Sequence, residues 1–195
     1  MLSKILQNHN VILASGSPRR QQFFKDLGIP FEIRLKPVKE VYPDDLKAEA
    51  ISGYLAKLKA TPFTDSLLPN DILITSDTIV WYNGNALGKP EDEEEAFQMI
   101  RSLSGDVHEV ITSVCFTSIK EQRVEHCKTT VHFNHLSDDE IRYYIENYKP
   151  FDKAGGYGIQ EWIGYIGVYK IEGSYFNVMG LPVHLVYKTL RSMVS

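Results

Sequence analysis

The 195-residue sequence has only two cysteines, no excess of positive charge, no low-complexity tract and no long hydrophobic run. Each shortage excludes something. Two cysteines cannot build the disulfide framework on which small secreted domains depend. A membrane-spanning helix needs about 20 consecutive apolar residues, and no stretch approaches that. The opening Met1-Leu-Ser-Lys-Ile-Leu-Gln-Asn-His-Asn10 has no apolar secretory core. A cytoplasmic location without a membrane partner is therefore expected by elimination. The formal net charge of −4 argues against a protein that lives on a nucleic-acid backbone, where Lys and Arg supply most of the affinity. An acidic chain still binds a small polyanion if its few cations converge.

What is present is ordinary for a globular protein, with 43% hydrophobic and 24% charged residues. The length suits one domain spanning residues 1–195. Residues 11–14 read as a short strand, 21–27 as a helix stopped by Gly28 and Pro30, and 31–35 as a strand. Leu46, Ala50, Ile51, Tyr54, Leu55 and Leu58 recur at helical spacing and predict a helix over 44–59. Residues 61–70, with two prolines, read as a surface loop. The β-rich run 72–82 closes on Asn83-Gly84, a type I′ hairpin signal. Residues 91–103 form an amphipathic helix with an acidic first turn that suits the helix dipole.

Two strands, 107–117 and 123–133, follow. A turn near 120–122 sets Cys115 opposite His126 and puts the two cysteine side chains on opposite faces. No disulfide is expected, and both thiols read as buried strand residues. Ser137 and Glu140 make a capping box for a helix to about residue 146. Residues 151–160 are a Gly-rich loop, 162–171 a strand, and Leu181-Pro182 opens a final helix. The expected fold is α/β: a mixed, largely antiparallel central sheet flanked by helices, with two lobes around a cleft.

Four segments carry chemistry. Ser15-Gly-Ser-Pro-Arg-Arg20 lies between a strand and a helix, with Ser17 as N-cap and Pro18 at the first helical position. Arg19 and Arg20 then fall in the first turn, where the dipole is unfavourable to cations. A bound anion reverses that sign, so the segment reads either as a phosphate cradle or as a capped surface helix. No Walker pattern is present. Asp77 sits inside the apolar run 72–81, where an unpaired carboxylate is costly. It requires a partner, a metal ion or a place at a cleft floor. Lys89, in Gly88-Lys89-Pro90, returns toward the strand of Asp77. The loop Phe151-Asp-Lys-Ala-Gly-Gly-Tyr-Gly-Ile-Gln160 allows close backbone approach. It lacks the dinucleotide-binding spacing, and Gln160 carries an amide able to read a base edge. His126 and His132 read as solvent-facing, and Glu93-Glu94-Glu95 as a solvated helix start.

Taken in order, these segments resemble the Maf-like nucleotide pyrophosphatases over nearly the whole chain. The resemblance is carried by Leu13-Ala-Ser-Gly-Ser-Pro-Arg-Arg20, Leu55-Ala-Lys-Leu-Lys-Ala60, Ser76-Asp-Thr78, Leu87-Gly-Lys-Pro90, Leu103-Ser-Gly105 to His108, Asp152 to Gln160, and Gly173-Ser-Tyr175 to Gly180-Leu-Pro182. It implies a fold like that of the inosine triphosphate pyrophosphatases. It implies hydrolysis of a nucleoside triphosphate to monophosphate and pyrophosphate, in the branch acting on dTTP and UTP. Asp77 matches the catalytic proton acceptor. Ser15, Arg20, Lys59 and Lys89 match phosphate-holding positions. Arg19, Thr78 and Gln160 match positions that separate subfamilies. Glu40, with Asp77, matches the acidic surroundings of a divalent cation, Mg²⁺ or Mn²⁺. Dimers are frequent among members. Thr75-Ser76, Lys149 and Glu161-Trp162 depart from the usual residues. The alternative function is a non-catalytic nucleotide-binding regulator, for example of cell division.

Overall fold

A computed structural model describes residues 2–194. One seven-stranded sheet forms the centre. Its strands are β1 (Asn10–Leu13), β2 (Glu32–Ile33), β3 (Asp71–Tyr82), β4 (Asn85–Leu87), β5 (Val107–Thr117), β6 (Gln122–Phe133) and β7 (Val168–Glu172). The order is β2-β1-β3-β5-β6-β7, with β4 also paired to β3. β1 is parallel to β2 and β3, and the other pairings are antiparallel. The mixed, largely antiparallel expectation holds. The helices are α1 (Leu2–Ile5), α2 (Pro18–Asp26), α3 (Glu49–Ala60), α4 (Glu93–Leu103), α5 (Asp138–Tyr148), α6 (Trp162–Gly167), α7 (Tyr175–Val178) and α8 (Val183–Met193).

Strand alternation sorts the core. On one face of β3 and β5, Leu73, Ile79, Ile111 and Cys115 pack under α3 through Ile51, Leu55, Ala56 and Ala60. On the other face two separate clusters form. Ile72, Ile74, Val114 and Phe116 meet Phe23 and Phe24 of α2 and Val186 and Leu190 of α8. Val80, Val110, Val131 and Phe133 meet α4, α5 and α6. Between these clusters the same face carries Ser76, Thr78 and Thr112. The polar interval separates two packed groups, and Thr112 there bonds the Thr78 hydroxyl and Asn177 O.

Several expected boundaries move. The helix predicted over 44–59 starts at Glu49, because Ala48 stands at φ 49° and ends any helix behind it. The stretch 162–171 divides into α6 and β7. Ile163, Gly164 and Gly167 are buried at helical spacing, which overrides the β-rich composition. The strand over 31–35 shrinks to β2. A 3₁₀ helix, Thr61–Ser66, replaces part of the expected loop and buries Phe63. The hairpin between β5 and β6 turns one residue earlier than expected, with Thr117 paired to Gln122. Cys115 therefore faces Val124, and His126 faces Ser113. The slip is two residues in register, so each side chain keeps its face. Both cysteines are free, Cys115 buried and Cys127 only half-buried. The Asn83-Gly84 turn forms as read, with φ of 47° and 78°, and so does the Ser137 capping box.

His108 is 2% exposed on β5 and bonds through Nε2 to the Tyr157 hydroxyl at 2.6 Å. Burial pulls its pKa from 6.5 to about 4, with Asp106 opposing and His132 reinforcing. The unfolded chain thus binds more protons between these two values. Stability attributable to His108 is full above pH 6.5 and is lost as pH falls toward 4. The effect amounts to about 3 kcal/mol at its limit. Denaturant unfolding across pH 7.5–4.5 should show a steeper loss for wild type than for His108→Gln. Parallel curves would show that His108 is not held in its neutral form by the fold.

Candidate active site

The site is built where β3 loses its outer neighbour. β1 pairs with β3 as far as Leu13 opposite Ile74, and Ala14 N–H still donates to Ile74 O at 2.9 Å. β4 pairs on the same edge from Val80 onward. Residues 75–79 therefore have β5 on one side and no strand on the other. β1 is parallel to β3 and β4 antiparallel, so both run toward this gap. The segments leaving them, Ser15 to Pro18 and Gly88 to Pro90, flank it. A cleft of about 520 Å³ opens there, within the usual range for small-ligand sites.

Asp77 occupies the middle of the gap and is 6% exposed. Its partner is Lys59 of α3, whose Nζ lies 2.6 Å from Asp77 Oδ1 and 3.0 Å from Glu40 Oε2. Lys59 stands in the last turn of α3, where the helix dipole favours a cation. Burial raises the Asp77 pKa, and the Lys59 charge and hydrogen bond work against that rise. Asp77 Oδ2 has no hydrogen-bond partner among the described residues. Of the compensations the sequence called for, the structure shows a cationic partner and a place in the cleft lining.

All nine residues singled out from the sequence (Ser15, Arg19, Arg20, Glu40, Lys59, Asp77, Thr78, Lys89 and Gln160) line this one cleft. Their commitments differ. Arg20 donates from Nε to Gly180 O at 2.8 Å, from Nη1 to Ser76 O at 2.8 Å and from Nη2 to Thr78 Oγ1 at 3.1 Å. Thr78 Oγ1 also bonds Thr112 Oγ1 at 2.9 Å. Arg20 is thus a bolt between β3 and the loop before α8, with part of its five-donor fork still open. Lys89 is exposed and makes no hydrogen bond or ion pair with the described residues. Ser17 caps α2 by position, but its side chain makes no cap bond. The first N–H groups of α2 are left without that partner.

Arg19 reaches across the cleft to Asp152 Oδ2 at 3.1 Å. Asp152 and Lys153 also line the cleft, and neither was singled out from the sequence. Their signal was a charged pair one residue before Gly155-Gly156. Burial acts to raise the Asp152 pKa, but Lys153 and Arg19 outweigh it and the net direction is down. His126 is exposed and His132 pairs with Glu172 at 2.8 Å. Among the described residues no group of three or more His, Cys, Asp or Glu side chains is placed to hold a metal ion.

Arg20→Met should lower stability by about 2–4 kcal/mol, because Ser76 O and Gly180 O lose their donor in a buried setting. Thermal unfolding measures this. A midpoint equal to wild type would show that the guanidinium does not bolt the two segments.

No helix among the described residues is long and apolar enough to cross a membrane. In architecture the chain is similar to the Ham1 protein of Staphylococcus aureus, with a TM-score of 0.53 over 94% of this chain and 99% of that one, at 14% identity. That likeness concerns the fold. In sequence it is 60% identical to the dTTP/UTP pyrophosphatase of Christiangramia forsetii, covering 100% of both chains. It is 59% identical to the dTTP/UTP pyrophosphatase of Flavobacterium johnsoniae, again over 100% of both. The Maf-like protein family model matches residues 10–193, and the chain belongs to that family.

Proposed function

We propose that this chain is a nucleoside-triphosphate pyrophosphatase acting on dTTP and UTP, and that residues 1–195 work as one catalytic domain. The observation that carries the reading is the buried Asp77 carboxylate, held by Lys59 at 2.6 Å in a cleft ringed by cations. The 60% identity to a dTTP/UTP pyrophosphatase supports the choice of substrate. A free nucleotide, rather than nucleic acid, is the partner that fits a cleft on a chain of net charge −4. A cytoplasmic setting suits that substrate.

The triphosphate lies with its charge among Lys59, Lys89, Arg19, Ser15 and the open first turn of α2. Such chemistry rests on positioning and charge neutralisation. Water attacks the α-phosphorus, a new P–O bond forms, and the bond to the bridging oxygen breaks as pyrophosphate leaves. Asp77 takes the water proton on Oδ2, the oxygen not committed to Lys59. The Lys59 ammonium favours the ionised form of Asp77 that this step needs.

Asp77 and Glu40 share Lys59 between them, so two hard carboxylates face one small space. That donor set fits Mg²⁺ or Mn²⁺, which bind through one or two carboxylates plus substrate phosphates. When bound, such an ion neutralises phosphate charge and polarises the reacting oxygens.

Pyrophosphate release from a panel of NTPs and dNTPs with Mg²⁺ tests the reading. Wild type should release it chiefly from dTTP and UTP, and Asp77→Asn should lose about 10²-fold or more. Release from no nucleotide would overturn the hydrolase reading and leave a nucleotide-binding regulator. Lys89 separates binding from folding. Lys89→Met should raise KM for dTTP about tenfold and leave the thermal midpoint unchanged. An unaltered KM would remove Lys89 from the phosphate-binding set.

A further inference from the structure

Gln160 alone cannot choose between uracil and cytosine. Its amide carries a donor and an acceptor and can turn over, so it matches a 4-oxo or a 4-amino edge. A selective site needs a neighbour that only donates or only accepts. Lys153 has that property and lies in the same loop, lining the same cleft.

Lys153 is 7% exposed, unusual burial for a lysine. Its Nζ is held by Asp152 Oδ1 at 2.7 Å and Glu161 Oε1 at 3.0 Å. The other oxygen of Glu161 takes the hydroxyl of the buried Tyr144, which in turn accepts Gly158 N–H at 3.0 Å. The packing leaves no slack. A Cβ on Gly158 would stand 2.8 Å from Glu161 Cδ and 3.0 Å from Lys153 Cε. Asp152 accepts one ammonium N–H in a hydrogen bond, and Glu161 is an ion-pair partner. No further acceptor is present among the described residues, so at least one of the three N–H groups stays open. Lys153 is therefore buried and paired where Lys89 is exposed and unpaired among the described residues, and is poorly placed to follow a phosphate. Val80, Val110 and Tyr157 line the cleft with it and supply apolar walls suited to the faces of a flat ring.

We propose that Lys153 is a further specificity residue, whose ammonium donates to the 4-carbonyl of uracil or thymine and turns away cytosine. The 4-amino group of cytosine would set N–H against N–H, with no acceptor for either. This deepens the dTTP/UTP reading above and rests on it. Glu161 is the positioning residue that holds the ammonium in place.

The test compares wild type, Lys153→Met, the double variant Lys153→Met/Glu161→Gln and Glu161→Gln alone. The double variant strands no carboxylate beside Tyr144 and keeps the fold available for measurement. Two readouts are taken: kcat/KM for UTP and CTP, and Kd for the non-hydrolysable α,β-imido analogues of each. The UTP-over-CTP ratio should fall about tenfold in both variants lacking Lys153, in kcat/KM and in binding alike. Glu161→Gln, which keeps the ammonium, should retain most of the ratio. An equal fall for both nucleotides, with the ratio intact, would overturn the assignment and leave Lys153 a structural ion-pair partner. Wild type binding both analogues equally would overturn it together with the base preference. Wild type that prefers the UTP analogue yet releases no pyrophosphate would overturn the hydrolase reading alone, and the binding ratios would still decide Lys153.

Discussion

The arrangement depends on one contact, the Lys59 ammonium 2.6 Å from Asp77 Oδ1 at the uncovered edge of β3. A carboxylate inside a nine-residue pairing with β5 is costly unless something compensates its charge. Lys59 compensates it from α3, on the face of the sheet where Asp77 points. That helix is seated by Ile51, Leu55 and Ala56, all buried against the sheet. The apolar packing of α3 therefore fixes the distance on which the chemistry rests. Removing the compensation would leave a buried charge, which costs more than the pair contributes.

The gap itself follows from topology. β1 runs parallel to β3 and β4 antiparallel, so the same edge is approached from both ends and left open in the middle. Strand alternation then divides the labour among three successive residues. The Ser76 backbone carbonyl accepts from Arg20 at the strand edge, the Asp77 side chain turns to Lys59, and the Thr78 hydroxyl oxygen accepts from Arg20 on the opposite face. One guanidinium and one ammonium thus approach the strand from its two sides. Neither could replace the other, because a planar fork reaches several acceptors at once and an ammonium acts as a compact charge.

Much of this was legible in the sequence, for identifiable reasons. The helix start at Pro18, the Asn83-Gly84 turn and the Ser137 capping box are local signals, and each formed as read. The misreadings share a different cause. The start of α3 depends on a single left-handed residue, Ala48, which periodicity does not register. The division of 162–171 depends on which side of Ile163 and Gly164 meets the core. The β5–β6 register depends on a four-residue turn, 118–121, whose placement composition leaves free by one residue. The site residues converge in one cleft, yet their commitments could not be read. Arg20 and Lys89 look alike as cations near a loop, but one is bolted to backbone oxygens and the other is exposed. Lys153 was missed because a lysine beside an aspartate in a loop looks solvated, until the fold brings Tyr144 of α5 and Glu161 before α6 against it.

Net charge also has to be reconciled with the proposed substrate. A chain of −4 repels a triphosphate at long range, but the Debye length under physiological salt is about 8 Å. Within that distance the cleft is governed by its own lining. Lys59, Lys89, Arg19, Arg20 and Lys153 face it against Glu40, Asp77 and Asp152. Each of those carboxylates already has a cation on it: Lys59 on Glu40 and Asp77, Lys153 and Arg19 on Asp152. A polyanion entering the cleft thus meets cations positioned in advance and carboxylates that each already have a cationic partner, Lys59 being shared between two of them. On the opposite face of β3, Arg20 meets Thr78 in the polar interval between the two apolar clusters, so the guanidinium interrupts neither core. The net negative charge and the anion-binding cleft coexist because charges beyond about 8 Å are largely screened, while the paired lining acts at contact distance.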